Sequence, residues 1–140
     1  MLGIAGSGKS TWIKKNLGDD VKIISKDGIR EELGIITGNK KAIGNKEQEE
    51  EVGRIQDQRI KDAVSQKIPF VLDNTNLGNH LSEIVRELKR KGYRVVGVKI
   101  NTPLETCIKR RPEIPVSELT RMSEGMKNLD LTIFDNVIEV

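Results

Sequence analysis

The chain has 140 residues, enough for one domain (1–140) with a real core. Its formal net charge of +3, with 32% charged residues, permits an anionic substrate but falls well short of a nucleic-acid-binding arm. No apolar run approaches the ~20 residues of a membrane span, the N-terminus lacks an apolar signal core, and a lone cysteine excludes an intramolecular disulfide, so a cytoplasmic protein with no membrane partner is expected.

In chain order, the first feature is Gly3-Ile4-Ala5-Gly6-Ser7-Gly8-Lys9-Ser10-Thr11, which matches the phosphate-binding pattern G-x-x-x-x-G-K-[ST] in full. Glycines at 3, 6 and 8 let the backbone approach a ligand closely and take φ > 0. Successive N–H groups, Ser7 among them, then turn inward into a concave anion site, and the helix that follows adds its positive end. Lys9 is placed to reach the β- and γ-phosphates, and the Ser10 hydroxyl, with Thr11 beside it, to ligate Mg²⁺. Only Met1 and Leu2 precede Gly3, so the first strand is expected to be very short or truncated at its start.

Val21–Ser25 predicts the second strand, and Asp27–Leu33 a short helix stopped by Gly34. Residues 34–46 read as a long irregular connection. A helix over Glu47–Gln66 follows, with Val52, Ile55, Ile60, Ala63 and Val64 on one face and the run Glu47–Glu51 as a solvated first turn. Ile68–Asp73 is apolar until its last residue and predicts a central strand. Leu81, Ile84, Val85 and Leu88 mark a helix with Lys89, Arg90 and Lys91 at its C-terminus and Gly92 as its stop.

Arg94–Ile100 predicts the fourth strand, and Thr102-Pro103-Leu104-Glu105 a capping box that opens a helix ending near Arg110-Arg111-Pro112. Cys107 lies on that helix with Leu104 and Ile108, as a small buried residue. A last helix from about Ser117 carries Leu119, Met122, Met126 and Leu129, and Val137–Val140 predicts a final strand. Alternating strands and amphipathic helices are the pattern of an α/β protein, a mostly parallel sheet flanked by helices. His80 has no partners for a zinc site.

Three further stations bear on chemistry. Asp27 and Arg30 share one helix face at the carboxyl edge of a strand, where ligands of open α/β sheets bind. A carboxylate there can accept the proton of an attacking hydroxyl, and the arginine can hold an anionic group of the acceptor. Asp73, at a strand end, suits Mg²⁺, and Asn74, Thr75 and Asn76 add polar groups for an acceptor. Arg110 and Arg111 precede a short loop, and one of them suits the charge of the transferring phosphoryl group.

Taken together, G-x-x-G-S-G-K-S-T-W, S-K-D-x-x-R, D-N-T-N-L and C-I-K-R-R before I-P resemble the 5′-polynucleotide kinase family of bacteriophage end-healing enzymes, over essentially the whole chain. The resemblance implies a doubly wound P-loop kinase sheet with a C-terminal lid, and Mg²⁺-dependent transfer of the γ-phosphate of ATP, GTP or another NTP to a 5′-hydroxyl end of DNA or RNA. It implies Lys9, Ser10 and Thr11 on the nucleotide phosphates and Mg²⁺, Asp27 as general base, Arg30 on the phosphate beside the acceptor end, and Arg110 or Arg111 on the donor phosphates. The chain departs from the family at Gly28, which stands where a second acidic residue is usual, and in the short segment between Arg111 and Pro115. A small-molecule hydroxyl kinase and a nucleotide-binding switch are the alternative readings of the same loop.

Overall fold

The computed structural model describes residues 1–35, 44–75, 78 and 80–140. Its elements run α1 (Lys9–Leu17), β1 (Lys22–Ile24), α2 (Lys26–Glu32), α3 (Lys46–Ser65), β2 (Phe70–Leu72), α4 (His80–Arg90), β3 (Val96–Lys99), α5 (Leu104–Arg110), α6 (Val116–Lys127), a 3₁₀ turn (Leu131–Ile133) and β4 (Asn136–Glu139). The alternation expected from the sequence is present, with shorter strands. The chain forms two compact units, Met1–Asn16 with Thr75–Val140, and Leu17–Asn74.

In the first unit β3 and β4 pair in parallel from Val96↔Asn136 to Lys99↔Glu139. The N-terminal segment joins them through one parallel bridge, Leu2↔Lys99. There the Leu2 N–H donates to Val98 O (2.7 Å) and the Ile100 N–H to Leu2 O (2.9 Å). The expected first strand is thus reduced to one bridge, enough to aim Gly3 and the loop beyond it. Leu2 and Ile4 are buried in one apolar cluster with Val85 of α4, Cys107 of α5 and Leu119 and Met122 of α6. The four-residue spacing of Leu81 and Val85 turns one face of α4 into this cluster, and α4 stops at Gly92, φ +91°.

The Thr102 capping box does not form. Pro103 occupies the N-cap of α5 without a side-chain bond, and the Thr102 hydroxyl donates instead to Ser7 O at 2.6 Å. A carbonyl of the phosphate-binding loop has taken the group that local sequence assigned to the helix end.

In the second unit β1 and β2 pair in parallel from Lys22↔Phe70 to Ile24↔Leu72. Among the described residues β2 pairs with β1 alone and its side chains are half-buried, so the central position expected for it is not seen in these ladders. Ser25 caps α2, accepting from the Gly28 N–H at 3.0 Å. Asn45 and Gln48 close a capping box on α3. The connection expected over 34–46 lies largely outside the described residues.

The buried face of α3 differs from the expected one. Val52, Gln56 and Ala63 are buried, while Ile55, Ile60 and Val64 are only half-buried. Gln56, 4% exposed, accepts a 2.8 Å bond from Asn74 Nδ2. A leucine at 56 would keep the volume but leave that part-buried Asn74 N–H without its acceptor, at a cost of about 1–3 kcal/mol. Gln56→Leu should therefore lower stability by that amount in equilibrium urea unfolding; an unchanged midpoint would contradict the role given to this bond.

Candidate functional site

The loop of the first unit is built by backbone conformation. Gly6 and Gly8 take φ +80° and +98°, values that side-chain-bearing residues rarely adopt. Trp12 N–H bonds Gly8 O at 3.0 Å, which starts α1 directly on the loop. The carbonyls turn outward to side chains. Lys9 Nζ donates to Gly3 O (2.8 Å) and Ile4 O (3.0 Å). Thr102 serves Ser7 O, and Arg110 Nη1 donates to Gly6 O at 3.1 Å. Ser7 Oγ, in a residue 3% exposed, has no hydrogen bond with the described residues. Ser10 and Thr11 are exposed on the first turn of α1.

The two arginines of α5 and its cap separate clearly. Arg110 brings its guanidinium to the loop, where Nη1 lies 3.7 Å from the position a Cβ on Gly8 would take. Arg111 packs its stem on Gly6, and its Nε is tied to Glu113. Cys107 is buried under the same loop, and burial pushes its thiol up from its ordinary range, against the opposing pull of Arg110 and Lys9. That environment disfavours a nucleophilic thiolate. A cavity of about 240 Å³ adjoins the loop's support, lined in part by Ile4, Asn101, Thr102, Leu104 and Ser123.

The second unit holds Asp27, Arg30, Asp73 and Asn74. Asp73 follows β2 and its N–H bonds Ile24 O at 2.9 Å, with Oδ1 buried. Asn74 is engaged at both ends of its amide: Oδ1 accepts from the Lys26 N–H at 2.9 Å while Nδ2 reaches Gln56. It thus ties the first turn of α2 to α3. Arg30 Nη1 meets Asp27 Oδ1 at 2.7 Å, and the two side chains are 15% and 77% exposed. Arg30 Nε and Nη2 also grip both oxygens of Glu49, at 3.0 and 2.8 Å. The bond to Glu49 raises the Arg30 pKa further above its ordinary value, and the same bond holds the Glu49 carboxyl below the usual carboxylate range. Thr75 belongs to the first unit, and Asn76 lies outside the described residues.

Sequence reasoning missed three supporting groups: Glu49, Gln56 and the loop contact of Thr102. Glu49 and Gln56 stand seven residues apart, two helical turns, and with Val52 between them they form one stripe. That polar stripe was the available signal.

The groups present suit a nucleotide. The positive-φ cradle, the N-terminus of a nine-residue helix and the buried Ser7 hydroxyl form an anion site. Ser10, exposed on the first turn of α1, is a hard oxygen donor of the kind Mg²⁺ takes. The described residues contain no cluster of three or more His, Cys, Asp or Glu that could hold a metal. No described helix is long and apolar enough to cross a membrane.

A parallel α/β architecture and this loop define a P-loop NTPase-like domain. The chain belongs to the AAA domain family, whose model matches residues 1–113, from the loop through Arg110 and Arg111. That family includes kinases, which supports phosphotransfer as the general class of activity. Comparison with curated proteins gives no match.

The cradle makes one stability prediction. A Cβ at Gly6 would sit 2.9 Å from Arg111 Cγ and 3.1 Å from Cys107 O, on a backbone at φ +80°. Gly6→Ala should therefore cost about 1–3 kcal/mol, read as a lowered urea midpoint. Wild-type stability in that variant would contradict the loop conformation.

Proposed function

We propose that the chain is a polynucleotide 5′-hydroxyl kinase that transfers the γ-phosphate of ATP or another NTP to a 5′-OH end of DNA or RNA. The observation that carries the reading is the Asp27–Arg30 pair, a carboxylate in contact with an almost buried guanidinium on one turn of α2. Such a pair suits an acceptor that offers a hydroxyl to deprotonate and an anionic group beside it. A 5′-OH polynucleotide end has both: its first phosphodiester lies next to the hydroxyl. A neutral small-molecule acceptor has no group for Arg30.

In the proposed step the acceptor oxygen attacks the γ-phosphorus in line. The new O–P bond forms as the bond to the β–γ bridging oxygen breaks, Asp27 takes the hydroxyl proton, and the nucleoside diphosphate leaves. Lys9 exchanges its loop carbonyls for β- and γ-phosphate oxygens. Arg110, already at the loop, is the α5 arginine assigned to the donor phosphates; Arg111 supports Gly6. Mg²⁺, for which Ser10 and Asp73 are the candidate ligands, would supply charge neutralisation on the donor. Thr75 and Asn76 are assigned to acceptor contacts, Asn74 to the support of α2, and the segment from Arg111 to Pro115 to a lid over a doubly wound sheet.

The reading is tested by incubating the protein with γ-labelled ATP or GTP, Mg²⁺ and a 5′-OH oligonucleotide, with Lys9→Ala as the blank. Label should appear on the oligonucleotide with the wild type, and transfer should fall at least about a hundredfold in the blank. Release of labelled phosphate with none on the oligonucleotide would overturn the polynucleotide acceptor and favour a nucleotide-binding switch.

A further inference from the structure

The run Glu47–Glu51 reads in sequence as a solvated first turn. Glu47 and Glu50 are exposed as that reading requires, but Glu49 is half-buried, with its side chain 27% exposed. Three constraints hold it. The Asn45–Gln48 capping box fixes the turn of α3 that carries it. The Gly44 N–H donates to Glu49 Oε1 at 2.8 Å. Both carboxylate oxygens then accept from Arg30. Lys26 adds a cation that favours the charged carboxylate.

The geometry matters because of what it leaves over. A guanidinium presents five N–H donors in one plane. Glu49 occupies the edge formed by Nε and Nη2, and Asp27 takes one N–H of Nη1 through Oδ1 alone. One N–H on Nη1 and one on Nη2 remain beyond these contacts. Asp27 lies three residues before Arg30 on the same helix. Without Glu49, Arg30 is at liberty to close on both Asp27 oxygens, which would consume the anion-binding edge and the base together.

We propose that Glu49 is a positioning residue that acts through Arg30, holding the guanidinium side-on so that its outer N–H groups face the acceptor's phosphate and Asp27 keeps one oxygen for the proton. The inference rests on the polynucleotide kinase reading. It predicts a specificity effect rather than a general loss, because Glu49 touches neither donor nor acceptor.

The test compares Glu49→Gln with wild type on two acceptors, the dinucleotide d(TpT), with a phosphate beside its 5′-OH, and thymidine, without one. The wild type should prefer d(TpT). Glu49→Gln should cut the kcat/KM preference by about tenfold through a raised KM for d(TpT), with the KM for ATP unchanged. Glu49→Asp, which retains the charge, should recover part of the loss, and it gives the same readout if the glutamine variant folds poorly. A wild-type preference kept whole in both variants would overturn the role of Glu49 and leave the polynucleotide reading standing. Equal use of d(TpT) and thymidine by the wild type would overturn that reading and the role of Glu49 with it.

Discussion

A phosphate-binding loop that turns its amides inward must turn its carbonyls outward, and each outward carbonyl needs a donor. Here four such demands are met by three side chains. Lys9 serves Gly3 and Ile4, Arg110 serves Gly6, and Thr102 serves Ser7. Two of those donors flank or end α5, so the loop's shape depends on the segment after β3 as much as on its own glycines. That dependence explains why the Thr102 hydroxyl is withdrawn from the helix cap. It also explains why Arg110 reaches the loop: the bond that steadies Gly6 O brings a permanent cation to the rim of an anion site.

The second unit shows the same logic with a helix as the support. α3 presents Glu49 and Gln56 on one stripe, with Val52 buried between them. Gln56 fixes Asn74, Asn74 fixes the start of α2, and Glu49 fixes Arg30. The exposed carboxylate of Asp27 thus stands on a helix held at both ends. Polar groups taken from water are costly unless they are paired, and in this network Asn74 is engaged at both ends of its amide, one of them on the Gln56 oxygen.

What could be read from the sequence follows from the range of the interactions involved. The loop was legible because its pattern is local and each residue type has a backbone reason. The face of α4 was legible from spacing alone, and so was the burial of Cys107 beside Leu104 and Ile108. Thr102 was misassigned because its partner, Ser7, lies 95 residues away, and a capping box is the best local use of the same hydroxyl. Glu49 was hidden in a run of like residues in which only its neighbours are solvated. Gln56 was passed over because periodicity counts apolar residues, so Ile55 and Ile60 were given the buried face that Gln56 shares. The apolar run after Pro69 points to a central strand, while among the described residues the ladder pairs it with β1 alone. The roles of Asp27, Arg30 and Asp73 in chemistry rest on proposal, since contacts within a folded unit do not by themselves define a reaction.

The central claim is that the loop holds the donor nucleotide while Asp27 activates the acceptor. The most direct measurement is Asp27→Asn, assayed in parallel for γ-phosphate transfer and for MgATP binding by calorimetry. Asparagine preserves the shape of the side chain and removes its capacity to take a proton. Transfer should fall by about 10²–10⁴-fold, with the MgATP dissociation constant within about twofold of the wild type, a free-energy change below the ~1.4 kcal/mol of a tenfold effect. Undiminished transfer by the variant would contradict the assignment of Asp27 as the base. A parallel loss of nucleotide affinity would contradict the division of labour between the loop and α2.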